Sequence, residues 1–216
     1  MRPDLIVSGE LSDWQVDSLK AVGYPLDRYI QHRGVIDIDR LLIPPHPLRT
    51  SRGESQICPS AIQWVRDRIL HNISPGSSNF PRRVYVSRAD ANHRQVVNEN
   101  DVISLLNQHE FESFEPGRLS FEDQVRLSAN ADVVIGPHGA GLTNIIYGSS
   151  LKVLELMTKE SGEHYFVLSN EHDYSYDYLI CKPVAEFDTK PKFRGMYVDM
   201  KNIEEKVCCL IRYAGI

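Results

Sequence analysis

The chain has 216 residues, 42% of them hydrophobic, enough to bury a core as one domain or as one domain with appendages. A formal net charge of -5 argues against nucleic-acid or membrane-surface binding driven by bulk charge, and no apolar run nears the roughly 18 residues that a membrane-spanning helix needs. Cys58, Cys181, Cys208 and Cys209 lack metal-ligand spacing and the opening MRPDLIVSGE lacks the longer apolar core of a signal peptide, so a reducing, cytoplasmic compartment is expected.

Asp4 to Ser8 reads as a strand. The capping-box spacing of Ser12 and Gln15 then opens a helix, with Val16 and Leu19 on one face and Gly23 as its stop. Val35 to Ile43 is a second apolar stretch, broken by Pro44, Pro45 and Pro47. Ser60 with Gln63 repeats the capping-box spacing ahead of a helix carrying Ile62, Val65 and Ile69. From Ser74 to Pro81 the composition turns to Ser, Pro, Gly and Asn, as at a domain boundary. Arg83 to Arg88 (RVYVSR) reads as a strand that runs into a polar loop ending near Asn98. A helix with Val102, Ile103 and Leu106, a short strand at Phe111 to Phe114 and a helix capped by Ser120 and Asp123 follow.

Val133 to Ile135 is a continuous apolar run, read as a buried strand that Gly136 and Pro137 stop. Leu142, Ile145 and Ile146 recur at helical spacing, and Lys152 to Leu156 is another strand. Glu163 to Asn170 reads as a helix and Tyr178 to Cys181 as a last strand, while Ile203, Val207, Leu210 and Ala214 line one face of a final helix. Strands alternating with helices predict a parallel α/β sheet.

The HGAG turn after the central strand is the main functional candidate. Small Gly139, Ala140 and Gly141 let the backbone approach an anion at a helix N-terminus, and Thr143 or Asn144 can add a side-chain donor. The plain alternative is a tight turn that needs glycine for its backbone angles. His138 is placed to donate to a phosphate or to move a proton, or is a structural hydrogen-bonder. Arg88 leaves its strand on the side of the sheet where the turn lies, with Arg94 six residues on and Asn98 and Glu99 beyond; the pair can neutralise a diphosphate or can be solvated surface arginines. Glu155, near the end of its own strand, can accept from ribose hydroxyls or form a salt bridge.

Three rival patterns are incomplete. Asp37-Ile38-Asp39 imitates a metal-binding Asp-x-Asp, although alternation along an edge strand explains it equally well. No G-x-S-x-G elbow accompanies HGAG, and Ser149 and Lys152 have S-x-x-K spacing without its companion elements. Gly139, Gly141 and Thr143 do not complete a dinucleotide-binding G-x-G-x-x-G.

The ordered set RVYVSR, then Arg94 and Asn98-Glu99, SFEDQ, ADVVIGPHGAGLTN and VLEL resembles the carboxyl half of glycosyltransferase family 61, densely from Arg83 to Leu156 and loosely on either side. The resemblance implies a Rossmann-like fold of the glycosyltransferase-B type and an inverting transfer from a nucleotide-sugar donor, a UDP-sugar, to an oligosaccharide or glycan acceptor. Bacterial members of the family are assigned to capsular and other surface-polysaccharide synthesis. Carried over by position, Arg88 and Arg94 become pyrophosphate ligands, His138 to Asn144 the phosphate cradle and Glu155 the ribose ligand, with Asn98 and Glu99 in support. No cofactor, metal ion or nucleic acid is implied.

The family's usual acceptor-side segment lies ahead of the equivalent of Asp4. Residues 1–73 are therefore expected to be the remnant of an acceptor-side domain, 74–82 a linker, 83–198 the donor domain and 199–216 a terminal helix. The catalytic base stays unassigned, with His138 as the fallback, and a non-catalytic nucleotide-sugar-binding domain is the alternative function. A bacterial cytoplasmic location, or one peripheral to the inner membrane, completes these expectations.

Overall fold

The computed structural model describes residues 5–40, 58–76, 80–184 and 194–212. Backbone contacts divide the chain into two compact units, Met1–Ser74 with Ser120–Glu122 and Pro75–Leu119 with Asp123–Ile216.

In the first unit, strand β1 (Leu5–Ser8) pairs in parallel with β2 (Tyr29–His32), joined through helix α1 (Asp13–Ala21) and a 3-10 turn at Leu26–Arg28. The start of α1 is held as its spacing predicts, with the Ser12 N–H donating to Gln15 Oε1 at 2.9 Å. Gly23 sits at φ +75, the left-handed geometry that suits a residue just past a helix end. Helix α2 (Pro59–Asn72) packs on α1 through Asn72 Nδ2, which donates to Ala21 O at 2.7 Å, and through buried Ile69. Its start differs from expectation. Pro59 takes the first turn, where a missing N–H goes unnoticed, so Cys58 is the cap and Ser60 lies inside the helix. The apolar stretch from Val35 forms no strand as far as Arg40, with Val35 98% exposed, while the strand lies earlier, at β2. Residues 41–43 and Pro44, Pro45 and Pro47 lie outside the described residues.

The second unit is built on β3 (Arg83–Val86), β4 (Glu112–Phe114), β5 (Val133–Pro137), β6 (Lys152–Met157) and β7 (Ser175–Ile180), in the order β4-β3-β5-β6-β7 and parallel at every pairing. This is the Rossmann-like α/β architecture expected. Helices α3 (Glu99–Asn107) and α6 (Met200–Arg212) cover one face, where Tyr85, Val102, Leu106, Ile135, Leu154, Leu156, Ile203 and Val207 form one core. Strand alternation sends Val134, Val153 and Glu155 to the opposite face, the side of α4 (Phe121–Asn130), α5 (His164–Glu171) and the 3-10 helix Ala140–Tyr147. Both faces are covered, which is why β5 reads as an unbroken apolar run and is buried at every position. Each such side chain contributes roughly 1.5–3 kcal/mol on burial.

Strand β5 continues through Gly136 and Pro137, which were expected to stop it. Its ladder with β3 ends at Ile135, so Pro137 faces no acceptor there, while Gly136 and Pro137 stay in register with Glu155 and Leu156 of β6. Strand β7 begins three residues earlier than Tyr178. An antiparallel pair, β8 (Lys182–Val184) with β9 (Gly195–Tyr197), is a further element that periodicity did not reveal. Ala214 of the predicted terminal helix lies outside the described residues.

Asn98 ties α3 to the segment after β9. Its Nδ2 donates to Val198 O at 2.9 Å, and its Oδ1 accepts from Val198 N at 3.0 Å. Val198 is fully buried, so Asn98→Ala strands two backbone groups. We expect a loss of about 2 kcal/mol in urea denaturation, the price of unpaired buried polar groups.

Candidate functional site

The carboxyl ends of β3, β5 and β6 bring the predicted residues to one edge of the sheet. After Val86, Ser87 N still donates to Phe114 O at 2.8 Å, so the chain is held extended until it delivers Arg88. Glu99 fixes this exit from below. Its Oε1 accepts from Tyr85 Oη and from Ser87 Oγ, each at 2.9 Å, and Ser87 Oγ in turn accepts from Ala89 N at 3.1 Å.

Arg88 Nε and Nη2 donate to His93 O at 3.3 and 3.2 Å, which turns the guanidinium back over the HGAG turn. A Cβ on Gly139 would fall on that guanidinium, and one on Gly141 would lie 3.0 Å from Val86 Cγ1 and 3.1 Å from Pro116 Cγ. Gly139 is extended, at φ 167, and neither glycine lies in the left-handed region. Neither is therefore needed for its backbone angles: Gly141 is closed in by Val86 and Pro116, whereas at Gly139 only the mobile end of Arg88 stands in the way.

Burial first, and then the charge of Arg94, hold the Arg88 guanidinium below its ordinary value. The two arginines thus feel one another, and neither forms an ion pair among the described residues. Arg94 has φ +59 and a buried Nε with no hydrogen-bond partner among the described residues. A left-handed non-glycine residue costs roughly 1–2 kcal/mol and an unpaired buried donor about 1–3 kcal/mol, so the loop holds a donor that lacks an acceptor. The 3-10 helix begins at Ala140, and Leu142 N already donates to Gly139 O at 2.9 Å, leaving the leading N–H groups of Ala140 and Gly141 without a helical acceptor. Cations, free amides and small residues converge here, the features that favour an anion.

Behind the turn, His138 is 5% exposed and its Nδ1 is hydrogen-bonded to Glu155 Oε1. Glu155 is fully buried, and Tyr176 Oη donates to its Oε2 at 2.6 Å. Tyr165 packs edge-on against His138 at 5.3 Å between ring centroids and donates to Gly139 O at 2.5 Å. The His164 ring lies 6.0 Å from that of His138.

Arg88, Arg94, Gly139, Ala140 and Gly141 therefore gather, with His138 alongside, and exposed Thr143 stands within reach of the Tyr165 hydroxyl. Three residues do not take the expected places. Asn144 Nδ2 donates to Gln124 Oε1 at 2.9 Å, holding α4 on the far side of the turn. Glu155 has both oxygens engaged and no exposed surface, so it serves His138 instead of a ribose. Asn98 braces Val198 away from the anion site, whereas Glu99 does support the Arg88 loop. Asp37 and Asp39 are exposed, and no group of three metal-ligating side chains occurs among the described residues. Tyr165, Tyr176 and His164 escaped the sequence reading because nothing local marks them: Tyr176 meets Glu155 only through the β6–β7 pairing.

The Glycosyltransferase 61 family model matches residues 6–162. Proteins named EGF domain-specific O-linked N-acetylglucosamine transferase are similar to this chain. The Rattus norvegicus protein is 33% identical over 87 residues, 37% of this chain and 16% of its own length. The Drosophila melanogaster protein is 35% identical over 69 residues, 31% of this chain and 13% of its own length. The Pan troglodytes protein is 28% identical over 87 residues, 37% of this chain and 16% of its own length. The chain thus spans at most 16% of the length of these relatives.

Gly139→Ala puts a methyl group where the Arg88 guanidinium lies, and the mobile end of that side chain, not the backbone, has to move. We expect stability to change by less than about 0.5 kcal/mol. Affinity for inorganic pyrophosphate should fall about fivefold or more, as for loss of one charge-assisted hydrogen bond. Thermal melting beside calorimetric titration checks both; an unchanged affinity would separate Arg88 from the anion site.

Proposed function

The chain belongs to glycosyltransferase family 61, and we propose that it moves a sugar from a UDP-sugar donor to a saccharide hydroxyl in surface-polysaccharide synthesis. The observation that carries this reading is the pair Arg88 and Arg94, mutually repelling and in no ion pair among the described residues, with Asp90 the weaker influence on Arg88, set on a glycine turn at the carboxyl edge of a parallel sheet. A diphosphate supplies the charge this site lacks. The sugar named for the relatives, N-acetylglucosamine, makes UDP-N-acetylglucosamine the first donor to test.

In the proposed reaction the acceptor oxygen attacks the anomeric carbon from the side opposite the diphosphate, so the configuration inverts. The new carbon–oxygen bond forms as the old one breaks, and the electron pair of the broken bond stays on the β-phosphate oxygen. The acceptor's proton passes to a general base on the acceptor side. Arg88, Arg94 and the amides of Ala140 and Gly141 meet the charge that develops on the leaving group, a preorganised stabilisation that needs no rearrangement during the step. The first unit, residues 1–74, is proposed as part of the acceptor side, and the second unit holds the donor.

Titration calorimetry of the full chain with UDP, GDP and UDP-N-acetylglucosamine tests the reading. Saturable uridine-nucleotide binding is expected, with Arg88→Ala weakening it by more than about 1 kcal/mol. A folded sample that binds none of the three would sink the donor-site assignment, and equal affinity in Arg88→Ala would remove that residue from it.

A further inference from the structure

The donor reading leaves unexplained why a carboxylate is buried at the centre of the sheet. Glu155 has no exposed surface, and its two oxygens are divided between His138 Nδ1 and Tyr176 Oη. Resting on that reading, we propose that Glu155 and Tyr176 are positioning residues that hold His138 so that its Nε2 donates to the departing diphosphate.

The ring nitrogen facing a carboxylate carries the proton, so Glu155 fixes His138 with Nδ1–H and leaves Nε2 for a ligand. Among the described residues the ring is hydrogen-bonded through Nδ1 alone. Tyr176 keeps Glu155 in place: burial, followed by the bond to Glu155, pushes its phenol well above the ordinary value, so it remains an O–H donor. The groups around the imidazole are Glu155 from β6, Tyr176 from β7 and Tyr165 and His164 from α5, with Arg88 and Arg94 at the adjoining turn.

Position decides which partner His138 serves. It directly precedes Gly139, on which the Arg88 guanidinium lies. An in-line displacement keeps acceptor and leaving group on opposite sides of the anomeric carbon, so a side chain at the diphosphate cradle works on the leaving group. Of the two roles the sequence leaves open to His138, this selects donation to the phosphate over its fallback role as base. With both ring nitrogens protonated in the complex, the imidazolium adds a third positive charge to the diphosphate, and buried Glu155 balances it.

The test is the histidine-ring ¹⁵N spectrum of the full chain, with the His138 resonances assigned by their loss in His138→Ala, recorded beside calorimetry with UDP. In the free protein Nδ1 should carry the proton, and saturation with UDP should protonate Nε2 as well. Glu155→Gln should release the Nδ1 proton and weaken UDP about tenfold. Tyr176→Phe, which removes only a hydroxyl from a half-buried ring, should melt somewhat lower but stay folded at the assay temperature and weaken UDP roughly threefold; it carries the test if Glu155→Gln does not fold. A wild-type ring protonated only on Nε2, or a Glu155→Gln ring unchanged from wild type, overturns the proposal. So does UDP binding with full heat while the His138 ring stays silent. Absence of any binding heat in wild type overturns the donor reading itself, and the calorimeter distinguishes that failure from the others.

Discussion

A carboxylate without solvent is the constraint around which the carboxyl edge of this sheet is arranged. Glu155 lies on a strand paired on both sides and is fully buried. Removing an ionised group from water is expensive unless hydrogen bonds replace the lost hydration. The neighbouring strands answer that demand, with His138 just beyond β5 and Tyr176 on β7 each taking one oxygen. Tyr165 then ties the helix after β6 to the turn through Gly139 O, so the histidine, the turn and α5 form one hydrogen-bonded assembly. Sites of this kind are more rigid than loops alone, because strands on both sides set their position.

The opposite requirement governs the surface of the turn. There the balance of charge is positive: Arg88 is half-buried beside Arg94, with Asp90 the weaker influence, and Arg94 sits in left-handed backbone with a buried N–H unpartnered. Glycine at 139 and 141 lets the guanidinium and the β3 side chains approach the turn more closely than any Cβ would allow. A buried carboxyl group held by hydrogen-bond donors lies beneath, and a cationic rim lies above. That polarity suits a ligand whose negative charge grows during the reaction, since fixed dipoles and cations do not have to reorganise as it grows.

The sheet and its order of elements were legible in the chain because they depend on local periodicity. The unbroken apolar run of Val133 to Ile135, the apolar Val84 to Val86 of β3 and the three-and-four spacing in α3 and α6 each survive in the fold. The misreadings share a cause. Gly136 and Pro137 stop a strand on propensity, yet here the missing β3 partner removes the penalty. Ser60 has the spacing of a cap, but Pro59 claims the first turn of α2. In each case a neighbour in space or sequence overrode a rule that looks at one residue type at a time.

By itself the sequence determined that the chain is a parallel α/β protein with an HGAG turn and two arginines at a strand exit, since strand order, turn chemistry and charge are local properties. It also carried the family resemblance, which is an ordered pattern of such local pieces. Only the tertiary structure decided what each residue faces. Glu155 and Asn144 carry the right atoms for a ligand, yet pairing of β6 with β5 and β7 commits the first to His138 and Tyr176, and packing of α4 commits the second to Gln124. A hydrogen-bonding group is free for a ligand only when nothing nearer claims it. Residues Glu155 and Tyr176, 21 positions apart, become neighbours through strand register, which no local pattern records.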